Sequence, residues 1–228
     1  MSSQPNQSLI DGIRCLQYLA TCGRAIGCRE LARDLNMNAS RVNRLLMTMS
    51  GIGLTRQDEK RRYLPGSGIH ALAAQAMRGS SLFRKSLEVL TEHAPHDHVV
   101  ALGVLWENKV VYLYHSKPGQ HDYQALVDYQ IQPAHLSVLG IVLLADYTDE
   151  RLAQVLEKEE LVSVAPLIAQ YRQHGSLLWR RENGECSFGV RIQSADQTAL
   201  AFSGLYNLNE QQVEEKRNAL LALAHLLE

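Results

Sequence analysis

Residues 38–49, Asn-Ala-Ser-Arg-Val-Asn-Arg-Leu-Leu-Met-Thr-Met, decide how the first third of the chain is read. Val42, Leu45, Leu46 and Met49 recur at i, i+3, i+4 and i+7, the spacing that lines one face of a helix with apolar side chains. Asn38 stands just ahead, where a side-chain oxygen can cap free backbone amides. Ser40, Arg41, Asn43, Arg44 and Thr48 fall largely off the apolar stripe and are expected to face outward.

Upstream, Cys28–Leu35 repeats the helical pattern with Leu31, Ala32 and Leu35 inward, and Asn36 suits the left-handed backbone of a tight turn. Before it, Ile13, Leu16, Tyr18, Leu19 and Ala20 mark a first helix, capped by Ser8 or Asp11 and stopped at Gly23. Downstream, Gly51 and Gly53 end the central helix. Leu54–Gln57 and Arg61–Leu64 then flank Asp58-Glu59-Lys60 as two short strands, and Pro65-Gly66 closes the hairpin. Helix, turn, helix and hairpin in that order read as a winged helix-turn-helix, a module that binds duplex DNA. Arginine pairs bidentately with guanine and asparagine with adenine, so Arg41, Asn43 and Arg44 carry the groups for base readout, with Thr48 on the same face. Ser40, close to the helix N-terminus, suits a phosphate. Arg56, Lys60, Arg61 and Arg62 on the wing supply sequence-independent attraction, each phosphate contact steepening the salt dependence by about 0.9 log units.

Charge follows the same division. Residues 1–78 hold 11 Lys and Arg against 5 Asp and Glu, while 79–228 hold 12 against 19, so the formal net charge of −1 conceals a basic head on an acidic body. At 228 residues the chain is comfortable for two domains. Its longest apolar stretch, Val138–Ala145, is far short of the ~20 residues that span a bilayer. Met1–Ser8 shows no secretory pattern, and a cytoplasmic protein with no membrane partner is expected. Cys15, Cys22, Cys28 and Cys186 form no CxxC pair and are expected to be reduced and packed.

Ser67–Met77 is Ala-rich, with Ile69, Leu72 and Ala76 on one face; it reads as a linker helix or as one more core helix of the first domain. Gly79-Ser80-Ser81 marks the boundary. Beyond it, Leu82–His93 is helical, and His98–Trp106 and Lys109–His115 form a hairpin through Glu107-Asn108. A strand over His121–Gln130 and helices over Ser137–Tyr147, Asp149–Glu157 and Ala165–His174 follow. Strands over Leu177–Glu182, Ser187–Gln193 and Ala199–Tyr206 come next. A final helix capped by Asn209 carries Val213, Leu220, Leu221, Leu223 and Leu227 mostly on one side. This is an α+β domain with an antiparallel sheet and flanking helices.

These segments resemble the isocitrate lyase regulator (IclR) family of bacterial transcription factors over nearly the whole chain. The resemblance is carried by Glu30-Leu31-Ala32 through Arg44-Leu45-Leu46, by Gly53-Leu54 and Arg62-Tyr63-Leu64-Pro65-Gly66, by Ser137–Ala145, and by the order Arg172, Gly175, Glu182, Gly184. It implies a winged helix-turn-helix over 1–66, a linker helix over 67–80, and a GAF/PAS-like domain over 81–228 that binds an effector and oligomerises. It also implies effector contacts through the backbone amides of Val138 and Leu139, with Ser137, Gly140, Glu182, Ser187 and Ser203 near the pocket.

The expected function is that of a metabolite-responsive regulator, a repressor of a catabolic operon. Its partners would be a palindromic double-stranded operator, a second copy of itself in a dimer or tetramer, and a sugar acid, keto acid or aromatic acid. Two alternatives stand beside it: a DNA-binding protein whose second half only oligomerises, and a small-molecule enzyme with an accessory helical domain. Against the enzyme, no GxSxG, HExxH or glycine-rich phosphate loop accompanies His121-Asp122 or Cys186-Ser187, and no catalytic residues or cofactors are assigned. His93, His96, His98, His115, His121 and His135 crowd one stretch, but their spacing matches no zinc pattern and no metal is expected.

Overall fold

A computed structural model describes residues 4–120, 124–125, 131–193 and 197–228. The chain divides into two compact units, Met1–Ser80 and Ser81–Glu228.

The first unit opens with α1 (Gln7–Thr21), α2 (Cys28–Asp34) and α3 (Ala39–Gly51). The cap of α1 is Asn6, whose side chain accepts from the amides of Ser8 and Leu9, in place of the expected Ser8 or Asp11. Asp11 lies a full turn inside the helix and is buried, which gives it a different task. Asn36 adopts φ 52°, and Asn38 caps α3 by accepting from the amides of Ser40 and Arg41. Val42 and Leu46 are fully buried and pack with Cys15, Leu19, Ile26 and Leu31 into one core.

The wing consists of β1 (Thr55–Gln57) and β2 (Tyr63–Pro65), antiparallel with Arg56 opposite Leu64. Tyr63 exchanges both backbone hydrogen bonds with Ile26, at 2.7 and 2.9 Å, so the hairpin is tied to the chain leading into α2. The Thr55 hydroxyl donates to the Leu46 carbonyl at 3.1 Å and ties it to α3 as well. α4 (Ser67–Gly79) follows, with none of its residues buried. Packing is close at the wing's exit: a Cβ on Gly66 would lie 2.2 Å from the Gly53 carbonyl oxygen.

The second unit is built on a six-stranded antiparallel sheet of order β5-β4-β3-β8-β7-β6. Its strands are β3 (Val99–Trp106), β4 (Lys109–Ser116), β5 (Ile131–Pro133), β6 (Leu177–Arg180), β7 (Glu185–Ile192) and β8 (Thr198–Tyr206). The helices are α5 (Ser81–His93), α6 (Val138–Leu144), α7 (Asp149–Val155), α8 (Lys158–His174) and α9 (Glu210–Leu227). Successive strand residues point to opposite faces. Val100, Leu102, Leu200 and Phe202 pack under α5 and α9, while Ala101, Ala199 and Ala201 pack with α6 and α8. α6 is buried on every side, as its uninterrupted apolar sequence requires.

Several boundaries differ from the expectations for physical reasons. α8 begins seven residues earlier than Ala165, because Glu157 and Glu160 form a capping box and Pro166 is tolerated inside the helix. The carbonyl that Pro166 leaves without an amide partner belongs to Val162, which is 69% exposed and open to water. Leu221 is exposed rather than part of the buried stripe of α9, and Ala224 takes its place. The short edge strand β5 was not expected. The strand expected over 121–130 lies outside the described residues except for 124–125, which are helical.

Candidate DNA-binding face and small-molecule cavity

On α3 the buried stripe turns toward α1 and α2, which leaves Ser40, Asn43, Arg44 and Thr48 exposed as a convex face. Asn43 donates to the Met47 sulfur at 3.7 Å, and the Thr48 hydroxyl donates back to the Arg44 carbonyl at 2.9 Å. Arg44 is exposed and, among the described residues, forms no ion pair.

Arg41 departs from the expectation of base contact. Its Nη2 lies 2.6 Å from Asp11 Oδ2, and Asp11 is only 8% exposed. Arg41 Nε is buried without a partner. Gln7 donates to the other oxygen of the same carboxylate at 2.9 Å. Arg41 therefore braces α3 against α1, and the carboxylate buried in α1 is the reason. The amides of Ser40 and Arg41 are likewise taken by the Asn38 cap, so a phosphate at Ser40 would meet its exposed hydroxyl rather than free backbone amides. Met47, 62% exposed between Arg44 and Thr48, was missed; a thioether there can contact a thymine methyl. The signal was available, since Met47 falls off the Val42–Leu46–Met49 stripe.

On the wing, Arg56, Lys60 and Arg61 are exposed, and among the described residues none of them forms an ion pair. Arg62 is committed elsewhere: its guanidinium holds Asp58 Oδ2 at 2.7–2.8 Å, while Asp58 Oδ1 accepts from the amides of Lys60 and Arg62. The Arg62 amide, with the guanidinium in support, holds the Asp58 carboxyl below its ordinary range. Arg61, at the tip of this closed turn, takes φ 57° and is exposed.

In the second unit a cavity of about 400 Å³ opens between the sheet and the start of α6. Small residues on that sheet face, Ala101, Ala201, Ser203 and Gly204, leave the space. Of the expected contacts, Ser137, Val138, Leu139 and Ser203 line it. Ser137 caps α6 and shares a 2.8 Å hydrogen bond with the Tyr112 hydroxyl, whose pKa is pushed up by burial, so the phenol stays neutral. Three expected residues lie elsewhere. Gly140 is absent from the lining because it packs on Ala134, whose carbonyl oxygen a Cβ would meet at 2.2 Å. Its amide faces the Ser137 hydroxyl. Ser187 is fully buried behind the wall, accepting from Arg181 at 2.9 Å. Glu182 is exposed in the turn between β6 and β7, outside the cavity, because β7 begins at Glu185 and carries that carboxylate to the wall instead. Tyr112, Arg181 and Glu185 were not anticipated. Only Tyr112 had a usable signal, the alternation of β4.

Among the described residues the histidines form no cluster with Cys, Asp or Glu that could hold a metal. His98 is buried against Phe202, His135 pairs with Glu160, and His121 lies outside the described residues. The Cys15 thiol is pushed up to about 11 by burial, with the Asp11 carboxylate adding to it, and stays protonated. No helix among the described residues is long and apolar enough to cross a membrane.

Residues 8–59 match the IclR helix-turn-helix domain. The regulator KdgR of Dickeya chrysanthemi is 28% identical over 154 residues, covering 60% of this chain and 46% of that protein; the match spans just under half of KdgR. The transcriptional repressor IclR of Escherichia coli is 25% identical over 215 residues, covering 83% of this chain and 73% of the repressor. Among solved structures, an IclR-family regulator from Brucella abortus superposes with a TM-score of 0.80 at 17% identity, over 100% of this chain and 93% of its own. An IclR homologue from Microbacterium hydrocarbonoxydans, complexed with 4-hydroxybenzoate, gives 0.62 at 21% identity over 97% and 99%. Residues 8–59 thus carry an IclR-type helix-turn-helix domain, the whole chain shares the fold of IclR-family structures, and the sequence relatives named here are transcription regulators.

Proposed function

We propose that this chain is a metabolite-responsive repressor of the IclR type that binds a palindromic operator as a dimer or a dimer of dimers. The observation that carries the DNA-binding half is the exposed face of α3, with Asn43, Arg44, Met47 and Thr48 outward over a packed three-helix core and the cations of the wing nearby in the same unit. Arg44 and Asn43 read base edges; Arg56, Lys60 and Arg61 hold phosphates. Residues 1–66 form the reader, 67–80 the link, and 81–228 the sensing and self-associating part.

A second copy is required because one recognition helix contacts too few base pairs for useful specificity. The apolar residues left exposed on α1 and α4, Leu9, Ile13 and Leu72, are surface that such a copy would cover. The cavity favours an effector-binding second unit over one that only oligomerises, since an interior serving assembly alone needs no concave wall of polar groups. The ligand is a small organic acid that favours one of two dimer arrangements, a coupling usually worth about 1–3 kcal/mol. 4-Hydroxybenzoate in the Microbacterium homologue supports that size and class. A cytoplasmic location follows from this role.

The test is fluorescence anisotropy on DNA from upstream of the chain's own gene, with random duplex as competitor, repeated with sugar, keto and aromatic acids. Selective binding relieved by one acid class is expected. Equal affinity for operator and random DNA, unmoved by any acid, overturns the proposal.

A further inference from the structure

Arg181 is held in the cavity wall by contacts that fix the plane of its guanidinium. The group stacks 4.1 Å above the Trp179 ring, Nη1 donates to the buried Ser187 hydroxyl at 2.9 Å, and its own amide donates to the Glu185 carbonyl at 2.8 Å. The contact to Glu185 is of another kind. Nη1 to Glu185 Oε1 is 3.4 Å, beyond the ~2.7–2.9 Å of a charge-assisted hydrogen bond. The same Oε1 accepts from the Gly204 amide at 3.2 Å, at a point where β8 takes φ 70°. Glu185 is therefore a carboxylate already facing the cation, yet not closely bonded to it.

Resting on the reading of this cavity as the effector site, we propose that Arg181 is the residue that holds the effector's carboxylate, and that Glu185 is the internal counter-ion the effector replaces. The guanidinium presents a full, planar charge that matches a carboxylate. The start of α6 can offer only the neutral backbone amides of Val138 and Leu139, since the Gly140 amide already faces Ser137, and no full charge. Val99, Ala101, Ala201, Val138 and Leu139 supply an apolar wall beside the hydroxyls of Tyr112, Ser137 and Ser203, while His115, Lys117 and Gln132 add polar groups elsewhere in the lining. The apolar wall lies where the body of the acid would rest, so the proposed effector is an acid with an aromatic or branched aliphatic body rather than a polyhydroxylated sugar acid. Replacing Glu185 at the guanidinium leaves its carboxylate with the Gly204 amide alone, so the acid alters a contact between β7 and β8.

The experiment uses the full chain with Trp106→Phe, which leaves Trp179 as the sole tryptophan of the two. Emission and thermal midpoint are followed during titration with benzoate, cinnamate and isovalerate, each beside its neutral amide, and with gluconate. The acids with apolar bodies are expected to shift Trp179 emission, their amides and gluconate binding at least about tenfold more weakly. Arg181→Gln should remove that preference for acid over amide. Glu185→Gln keeps an oxygen for the Gly204 amide and should bind the same acid about fivefold more tightly. Should Arg181→Gln fail to fold, Glu185→Gln and Arg181→Lys decide the matter, the lysine keeping charge but losing the planar stack. Unchanged acid affinity in Arg181→Gln, or weaker binding in Glu185→Gln, overturns the proposal. Equal binding of acids and amides overturns it while leaving the cavity an effector site. No binding by any compound to a chain that still holds operator overturns both.

Discussion

The exposed face of α3 and the cavity of the second unit, the two surfaces proposed to bind, are built by opposite means. The first is convex and made from consecutive residues, what remains of a helix once its apolar stripe is buried. The second is concave and draws Tyr112, Ser137, Arg181 and Ser203 from four separate segments. A convex face tolerates changes in its side chains, because each meets solvent. A cavity depends on small residues and close backbone approach, so alterations to its frame are felt throughout the unit.

That contrast is most exposed to failure at Gly140. Gly140→Val would drive a side chain into the Ala134 backbone and should cost about 3 kcal/mol or more in the second unit alone. Urea denaturation should show one transition moving while the helix-turn-helix transition stays in place. A variant that melts like the parent would show that the frame is not rigid.

Within the convex face, Arg44→Ala should reduce specific operator binding by about 1–3 kcal/mol without changing stability. Arg41→Ala should do the reverse. It leaves Asp11 buried without its cation, a loss of about 1–2 kcal/mol once screening at the 36%-exposed arginine is allowed for. Anisotropy and thermal melts on both variants separate reader from brace; identical behaviour would erase the distinction. Asn38→Ala, which frees the amides of Ser40 and Arg41, should cost about 1 kcal/mol of first-unit stability.

The smallest effect concerns pH. Burial of His98, aided by the Lys216 ammonium and opposed by Asp97, holds its pKa below the ordinary 6.5. The unfolded chain then binds a proton at a pH where the native chain does not, so stability is present above 6.5 and falls as pH drops through the lowered value. His98→Leu keeps contact with Phe202 and should flatten that part of the stability–pH curve for the second unit. A slope unchanged by the substitution would place its origin in other groups.

How much of each surface was legible follows from its geometry. Periodicity alone located the α3 stripe and the outward positions of Asn43 and Arg44, because a helix exposes what it does not bury. It also contained Met47, passed over because an exposed methionine carries no charge to draw attention. Arg41 and Arg62 were read as free cations since nothing local reveals a buried Asp11 thirty positions away, or an Asp58 that closes its own turn. In the second unit the strands were visible, and the starts at Lys109 and Leu177 were right, but β7 begins at Glu185 and not at the expected Ser187. That earlier start puts the cavity carboxylate at Glu185, three positions beyond the expected Glu182.

From the order of residues alone come the two-part plan, the buried stripe of α3, the Asn38 cap and the antiparallel sheet, all consequences of local hydrogen bonding and of apolar side chains repeating with a helix or strand period. Only the tertiary structure decided which arginines are spoken for, how α6 closes onto Ala134, and that Arg181 meets Glu185 across a cavity floored by alanines. Those facts depend on distances between segments far apart in the chain, and no periodicity records such distances.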